Sequence, residues 1–216
     1  MNAHALTIRT ATREEHEPAV QLLADAFEHD PAIIAATARA SEPDLARRAI
    51  FRTSLATTLS QGGTLLVAEG PNAMLGAAII RDPAQGRFSE AVGYVRAGFS
   101  FLRLLGLLDA QALTFLNNAD RASRHHAPRE PHHVLIAIGV AAEARGLGVG
   151  RALVEATVDR ARDHATSWGV SLETENRDNV DRYARWHFEL LASVEVDPVT
   201  VYVMARPTRT TDEGAP

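Results

Sequence analysis

Arg145, Gly146, Leu147, Gly148, Val149, Gly150 and Arg151 form a run in which three glycines alternate with larger residues between two arginines. Small residues leave backbone N–H groups bare, and at the start of a helix those groups act with the helix dipole to favour an anion. Flanking guanidinium groups add charge-assisted bonds to phosphate oxygens. The chemistry indicated is a phosphate site. A second set of residues suits proton transfer. Glu173, inside the segment SLETEN, places a carboxylate on a strand. A buried carboxylate is costly unless paired or functional, and burial raises its pKa, so Glu173 is either a base or a structural partner for an arginine. His132 and His133 are alternatives with a suitable intrinsic pKa. His125, His126, His132 and His133 do not make a metal site, because Pro128 and Pro131 separate the pairs and no carboxylate completes the spacing. No metal is expected.

The elements around the glycines fix how they are presented. Residues 134–140, VLIAIGV, read as a strand covered on both faces. From Ala152 onward Leu153, Ala156, Val158 and Ala161 recur near helical spacing, with charged residues between them. The order is strand, glycine turn, helix. A nucleotide P-loop needs a lysine, and the chain contains none. A dinucleotide fingerprint needs a third glycine where Arg151 stands, although Glu173 and Glu175 lie near the distance of a ribose-binding acid. A turn serving only close packing is the third reading.

Composition narrows the class. The 216 residues suffice for one domain with a substantial core, and a hydrophobic share of 46% with 23% charged residues is that of a globular protein. A net charge of −5 gives no basic footprint for nucleic acid. The absence of cysteine excludes disulfides, thiolate metal sites and a cysteine nucleophile. The first residues, MNAHALTIRTATREEHE, hold no apolar signal core, and no apolar run approaches the roughly 18 residues of a membrane span. A cytoplasmic location without membrane attachment is expected.

Taken in order, Leu6, Ile8 and Thr10 alternate as a first strand, and Thr12 with Glu15 forms a capping box for a helix through Phe27, which Asp30-Pro31 ends or redirects. A second helix spans 44–60. Residues 64–69 and 73–81 read as a hairpin about Gly70-Pro71-Asn72. Residues 88–126 have helical character, broken near Gly106, and form an insertion of about 87–127. This insertion either shapes a pocket, covers a sheet edge or forms a homodimer surface. After the central strand and its helix come a strand at 170–174, a short helix to about Trp186, and a closing hairpin of 188–196 and 199–206 about Asp197-Pro198. A single domain over 1–207 with a frayed tail at 208–216 is expected.

Arg145, Gly148 and Gly150 directly after a strand make R-x-x-G-x-G, which resembles the acetyl-CoA motif of the GNAT superfamily of N-acetyltransferases. The order of elements, apart from the insertion, is similar to that family's α/β (α+β) fold, a mixed sheet of about six to seven strands with helices on both faces. The resemblance implies that Ile138, Gly139 and Val140 offer backbone to pantetheine and that Arg145, Gly146, Leu147, Gly148, Val149, Gly150 and Arg151 hold the diphosphate. Asn176, with Asn179, and Tyr183 after six intervening residues look like the family's last-helix element. This implies contacts to the cofactor from all three, Tyr183 as the acid for the leaving thiolate, and the Val140 N–H as polariser of the thioester. HHAPREPHHVLIAIGV, then SLETEN and the AFEHDP stretch of residues 26–31, are similar to the puromycin N-acetyltransferase-like group. Two departures stand out: His187 replaces a usual glycine before Phe188, and Arg182 a usual apolar residue. The resemblance implies direct transfer of acetyl from acetyl-CoA to a small-molecule amine, with Glu173 or His133 as base. A non-catalytic acyl-CoA sensor and a protein or peptide N-acetyltransferase are the other readings.

Overall fold

Thr12 opens the helical part of the chain as expected. Its N–H donates to Glu15 Oε2 at 2.7 Å, closing the capping box, and one 3-10 turn leads from strand β1 (Thr7–Thr10) into helix α1 (His16–Ala26). The computed structural model describes residues 6–71, 73–83 and 102–209.

Asp30-Pro31 ends α1, but it also starts a helix that the sequence reading missed. The Asp30 carboxylate accepts the N–H groups of Ala32 and Ile33 at 3.0 and 3.2 Å, and α2 runs Pro31–Thr37. Proline at the first helical position is a start signal, since its missing N–H would have had no partner there. Three helices therefore follow β1, the third being α3 (Pro43–Ser60). The expected hairpin is β2 (Thr64–Glu69) with β3 (Met74–Arg81). Of the expected insertion, residues 87–101 lie outside the described residues. The remainder holds a turn at Gly106 and α4 (Ala110–His126), capped by Asp109, whose carboxylate accepts the Ala112 N–H at 2.8 Å.

Strand β4 (His133–Val140), α5 (Val149–Asp163), β5 (Gly169–Thr174), α6 (Arg177–Ala184), β6 (Glu189–Val196) and β7 (Val199–Pro207) complete the chain. The seven strands form one sheet in the order β1-β2-β3-β4-β5-β7-β6, in which β4–β5 is the parallel pair. Successive side chains on a strand point to opposite faces. Leu65 of β2 and Ile79 of β3 thus join one core with Leu23, Phe51 and Phe115 beneath α1 to α4, while Leu66 and Ile80 join another with Leu153, Val158 and Leu172 beneath α5 and α6. Among the described residues no helix is long and apolar enough to cross a membrane.

The sheet is not closed throughout. On one edge β4 stays paired with β3 as far as Val140 opposite Gly76. On the other it pairs with β5 only through His133, Val134 and Leu135, and then the two strands part. Ile136 is an extra residue, since Ile79 faces Ala137 and Ile80 faces Leu135. Such a bulge bends the strand that carries it. The strand is covered on both faces, Ala137 joining the core beneath α1 and Leu135 the core beneath α5, while Ile136, Ile138 and Val140 are half-buried.

Candidate active site

The parting of β4 from β5 exposes backbone. The Ala141 N–H donates to Leu75 O at 2.9 Å, toward β3. Because backbone groups alternate along a strand, Ile138 and Val140 turn theirs the other way, into the gap. Gly139 between them lets α1 close over the strand: a Cβ there would lie 2.9 Å from Ala26 Cβ and 3.1 Å from Leu23 Cδ2.

The glycine turn follows at the end of this strand. Gly146 and Gly148 have φ of 81° and 82°, the left-handed region that glycine enters freely, and Gly148 is the N-cap of α5. The Ala152 N–H to Gly148 O bond, 3.0 Å, is the first of the helix, so the N–H groups of Val149, Gly150 and Arg151 have no intrahelical acceptor. Arg145 and Arg151 make no ion pair among the described residues. A helix start with three bare amides and two uncommitted guanidiniums can take a diphosphate.

The facing wall is α6. Asn176 caps it, Oδ1 accepting the Asp178 N–H at 2.9 Å, while Thr174 Oγ1 accepts the Asn176 N–H at 3.3 Å and Asn179 Nδ2 at 3.2 Å. Arg182 donates to Asn179 Oδ1 at 2.5 Å, which gives a polar role to the departure from an apolar residue. Tyr183 is held by ring contacts, 5.6 Å to Trp186 and 5.7 Å to Phe188 between centroids. Burial pushes its phenol up to about 12, so at neutral pH it stays protonated.

These elements enclose a cleft of about 1350 Å³. It brings together Ile138, Gly139, Val140, Arg145, Gly146, Gly148, Val149, Gly150, Arg151, Asn176, Asn179 and Tyr183. Leu147 points out, 71% exposed. His133 stands at the opposite end of β4, fully buried, with Nδ1 2.9 Å from Ser167 Oγ and Nε2 3.6 Å from Asp82 Oδ1. Burial pushes it down to about 4. The start of the strand thus holds a buried, neutral histidine away from the cleft. His132 is half-buried with Nδ1 on Glu130 O at 2.7 Å, and it too is lowered by burial.

Glu173 lies under α4. Burial pushes its carboxyl up, a hydrogen bond from Ser123 opposes this, and Oε2 is buried without a partner among the described residues. Glu175, two residues on, was legible from sequence only as a ribose-binding candidate. It is pushed up to about 8, first by burial and then by the charges of Glu173 and Asp30. Asp30, on the cleft wall, is also raised by burial. Glu175 follows the end of β5 at Thr174, on the bend that leads into α6. The α1–α2 junction that supplies Asp30 gave no signal in the sequence, since its proline read as a stop.

Comparison with known proteins agrees with this arrangement. The pattern of the Acetyltransferase (GNAT) family matches residues 17–188. No curated protein matches the chain. Among solved structures, the chain is similar to a histone acetyltransferase HPA2 and related acetyltransferase from Corynebacterium glutamicum ATCC 13032, at 22% identity and TM-score 0.69, covering 96% of this chain and 99% of that one. It also resembles arylalkylamine N-acetyltransferase 2 from Aedes aegypti, at 12% identity and TM-score 0.69, covering 94% and 99%. A third is yncA, a putative acetyltransferase from Salmonella typhimurium determined with its cofactor acetyl-CoA, at 18% identity and TM-score 0.54, covering 98% of each chain. These likenesses are of fold, and the family match spans most of the chain. With its sheet parted over a glycine-started helix, the chain belongs to the GNAT family of acetyltransferases.

Proposed function

We propose that this protein transfers an acetyl group from acetyl-CoA to a primary amine of a small molecule, by direct attack while both are bound. The observation that carries this reading is the gap between β4 and β5, where a free backbone edge, a phosphate-type helix start and Tyr183 face one cleft. The residues fit the donor: Ile138 and Val140 offer amides to a pantetheine arm, and residues 145–151 offer bare N–H groups and two guanidiniums to a diphosphate. Acetyl-CoA supplies an activated thioester.

The remaining chemistry belongs to the chain. The Val140 N–H polarises the carbonyl under attack. As the carbon–nitrogen bond forms and the carbon–sulfur bond breaks, Tyr183 gives its proton to the departing sulfur. Glu175 takes the proton lost by nitrogen, and Glu173 stands beside it as the second carboxylate. A base with a pKa near 8 is better matched to an amine at neutral pH than an ordinary carboxylate. No cysteine is present to carry an acyl intermediate, which supports direct transfer. His133 has no part in this scheme. The puromycin N-acetyltransferase-like branch is favoured by residues 128–131, Pro-Arg-Glu-Pro, ahead of the central strand.

The test is release of free thiol from acetyl-CoA over a panel of primary amines, with the acetylated product identified by mass. Thiol release that requires an amine and yields its amide supports the reading. Tight acetyl-CoA binding with no product from any amine would overturn it in favour of a sensor.

A further inference from the structure

Two helices flank the cleft, α5 with the glycine turn at its start and α6 with Tyr183, and one side chain that does not line the cleft is bonded to both. Arg206 stands on β7 opposite Val170 of β5. Met204, two residues earlier on that strand, is buried in the core beneath α5 and α6, and alternation along a strand turns Arg206 to the same face. Arg206 Nη1 donates to Glu155 Oε1, one turn into α5 from Arg151, and to the carbonyl oxygen of Trp186, just past the end of α6, each at 3.0 Å. The Arg206 side chain is 15% exposed, so this pair is screened less than one on the surface.

Trp186 carries the link into the cleft, which it lines. Its N–H donates to Tyr183 O at 2.9 Å, and its ring meets the Tyr183 ring edge-on, 5.6 Å between centroids. On the other side, a Cβ on Gly150 would lie 3.9 Å from Trp186 Cη2. The indole therefore spans from the first turn of α5 to the phenol. We propose that Arg206 is a positioning residue: by holding Glu155 and the Trp186 carbonyl on one nitrogen it sets the spacing of α5 and α6, and through Trp186 it fixes where the Tyr183 hydroxyl stands relative to the departing sulfur. This rests on the acetyltransferase reading with Tyr183 as its acid. Displacing a reacting group by about 1 Å costs on the order of 10²-fold in rate, whereas a diphosphate shared among several amides and two guanidiniums loses little. Because both bonds leave one nitrogen, an ammonium can make both and a thioether neither.

The experiment measures kcat at saturating amine and acetyl-CoA, and the acetyl-CoA dissociation constant by calorimetry, for Arg206→Met, Arg206→Lys and Glu155→Ala on the full chain. Each is also combined with Tyr183→Phe. Arg206→Met should lower kcat about tenfold and leave the dissociation constant within about twofold, and Arg206→Lys should recover most of the loss. With Tyr183→Phe present, neither Arg206→Met nor Glu155→Ala should lower kcat further, since no acid is left to position. Glu155→Ala cuts only the α5 bond at a partly exposed site, and its smaller loss in the same direction decides the matter if Arg206→Met does not fold. An unchanged kcat, a full further loss in the Tyr183→Phe background, or equal weakening of kcat and cofactor binding would overturn the positioning role and leave the acetyltransferase reading standing. No thiol release by the wild type with any amine would overturn both.

Discussion

The N–H of Phe188 donates to the carbonyl of Tyr183 at 3.0 Å, and His187 between them has φ of 65°. With His187 N–H on Ala184 O, also 3.0 Å, this is a Schellman end to α6, and a histidine occupies the left-handed position that glycine normally takes. The departure seen in the sequence therefore changes the residue but not the turn. An L-residue in this conformation costs roughly 1–2 kcal/mol. His187→Gly should recover part of that, raising the denaturation midpoint by about 2–4 °C per kcal/mol gained. An unchanged or lower midpoint in a calorimetric scan would contradict the strain.

In the proposed reaction Tyr183, on the cleft wall, donates a proton to the departing sulfur. Tyr183→Phe keeps the ring contacts with Trp186 and Phe188 and removes the hydroxyl. The expected loss is about 10²-fold in kcat, with the acetyl-CoA dissociation constant nearly intact. Weaker cofactor binding with kcat preserved at saturation would remove Tyr183 from the acid role.

Glu175 links pH to both rate and stability. Its folded-state pKa of about 8 lies above the ordinary 4.5, so the folded chain binds its proton more tightly than the unfolded chain does. Its stabilising contribution is complete below about pH 4.5 and is lost as pH rises toward 8. Glu175→Gln should flatten the fall of the melting temperature over that range. As the base must be ionised, kcat/KM of the wild type should climb toward pH 8, and the variant should lose this limb. A melting-temperature profile identical to the wild type would show that the carboxyl is not perturbed.

Gly139 is the point at which α1 touches the central strand. Gly139→Val places new carbon against Ala26 Cβ, 2.9 Å from where Cβ falls, and against the ends of Leu22 and Leu23. The expected destabilisation is about 1–3 kcal/mol by denaturant titration. A variant as stable as the wild type would mean that α1 yields without loss.

Much of this was legible in the sequence. The capping box at Thr12 and Glu15, the β2–β3 hairpin and the glycine turn are local patterns, governed by residues a few positions apart, and each formed where expected. The helix α2 was missed because one proline carries two opposite meanings, stop for α1 and start for the next helix, and the Asp30 cap decides between them. The influence of Asp30 on Glu175 joins residues far apart in the chain, which local spacing does not record. His133 shows the converse: its residue type is plain in the sequence, but its burial against Ser167 at the far end of β4 is set by the tertiary fold.

The free edge of β4 at Ile138 and Val140 is made of amides common to every residue except proline. Alanine scanning across this stretch is therefore blind to the contacts it makes, and side-chain variation there can drift without erasing them. Removal of the Val140 amide, by Val140→Pro or by a backbone ester, is the perturbation to which this part of the cleft is sensitive.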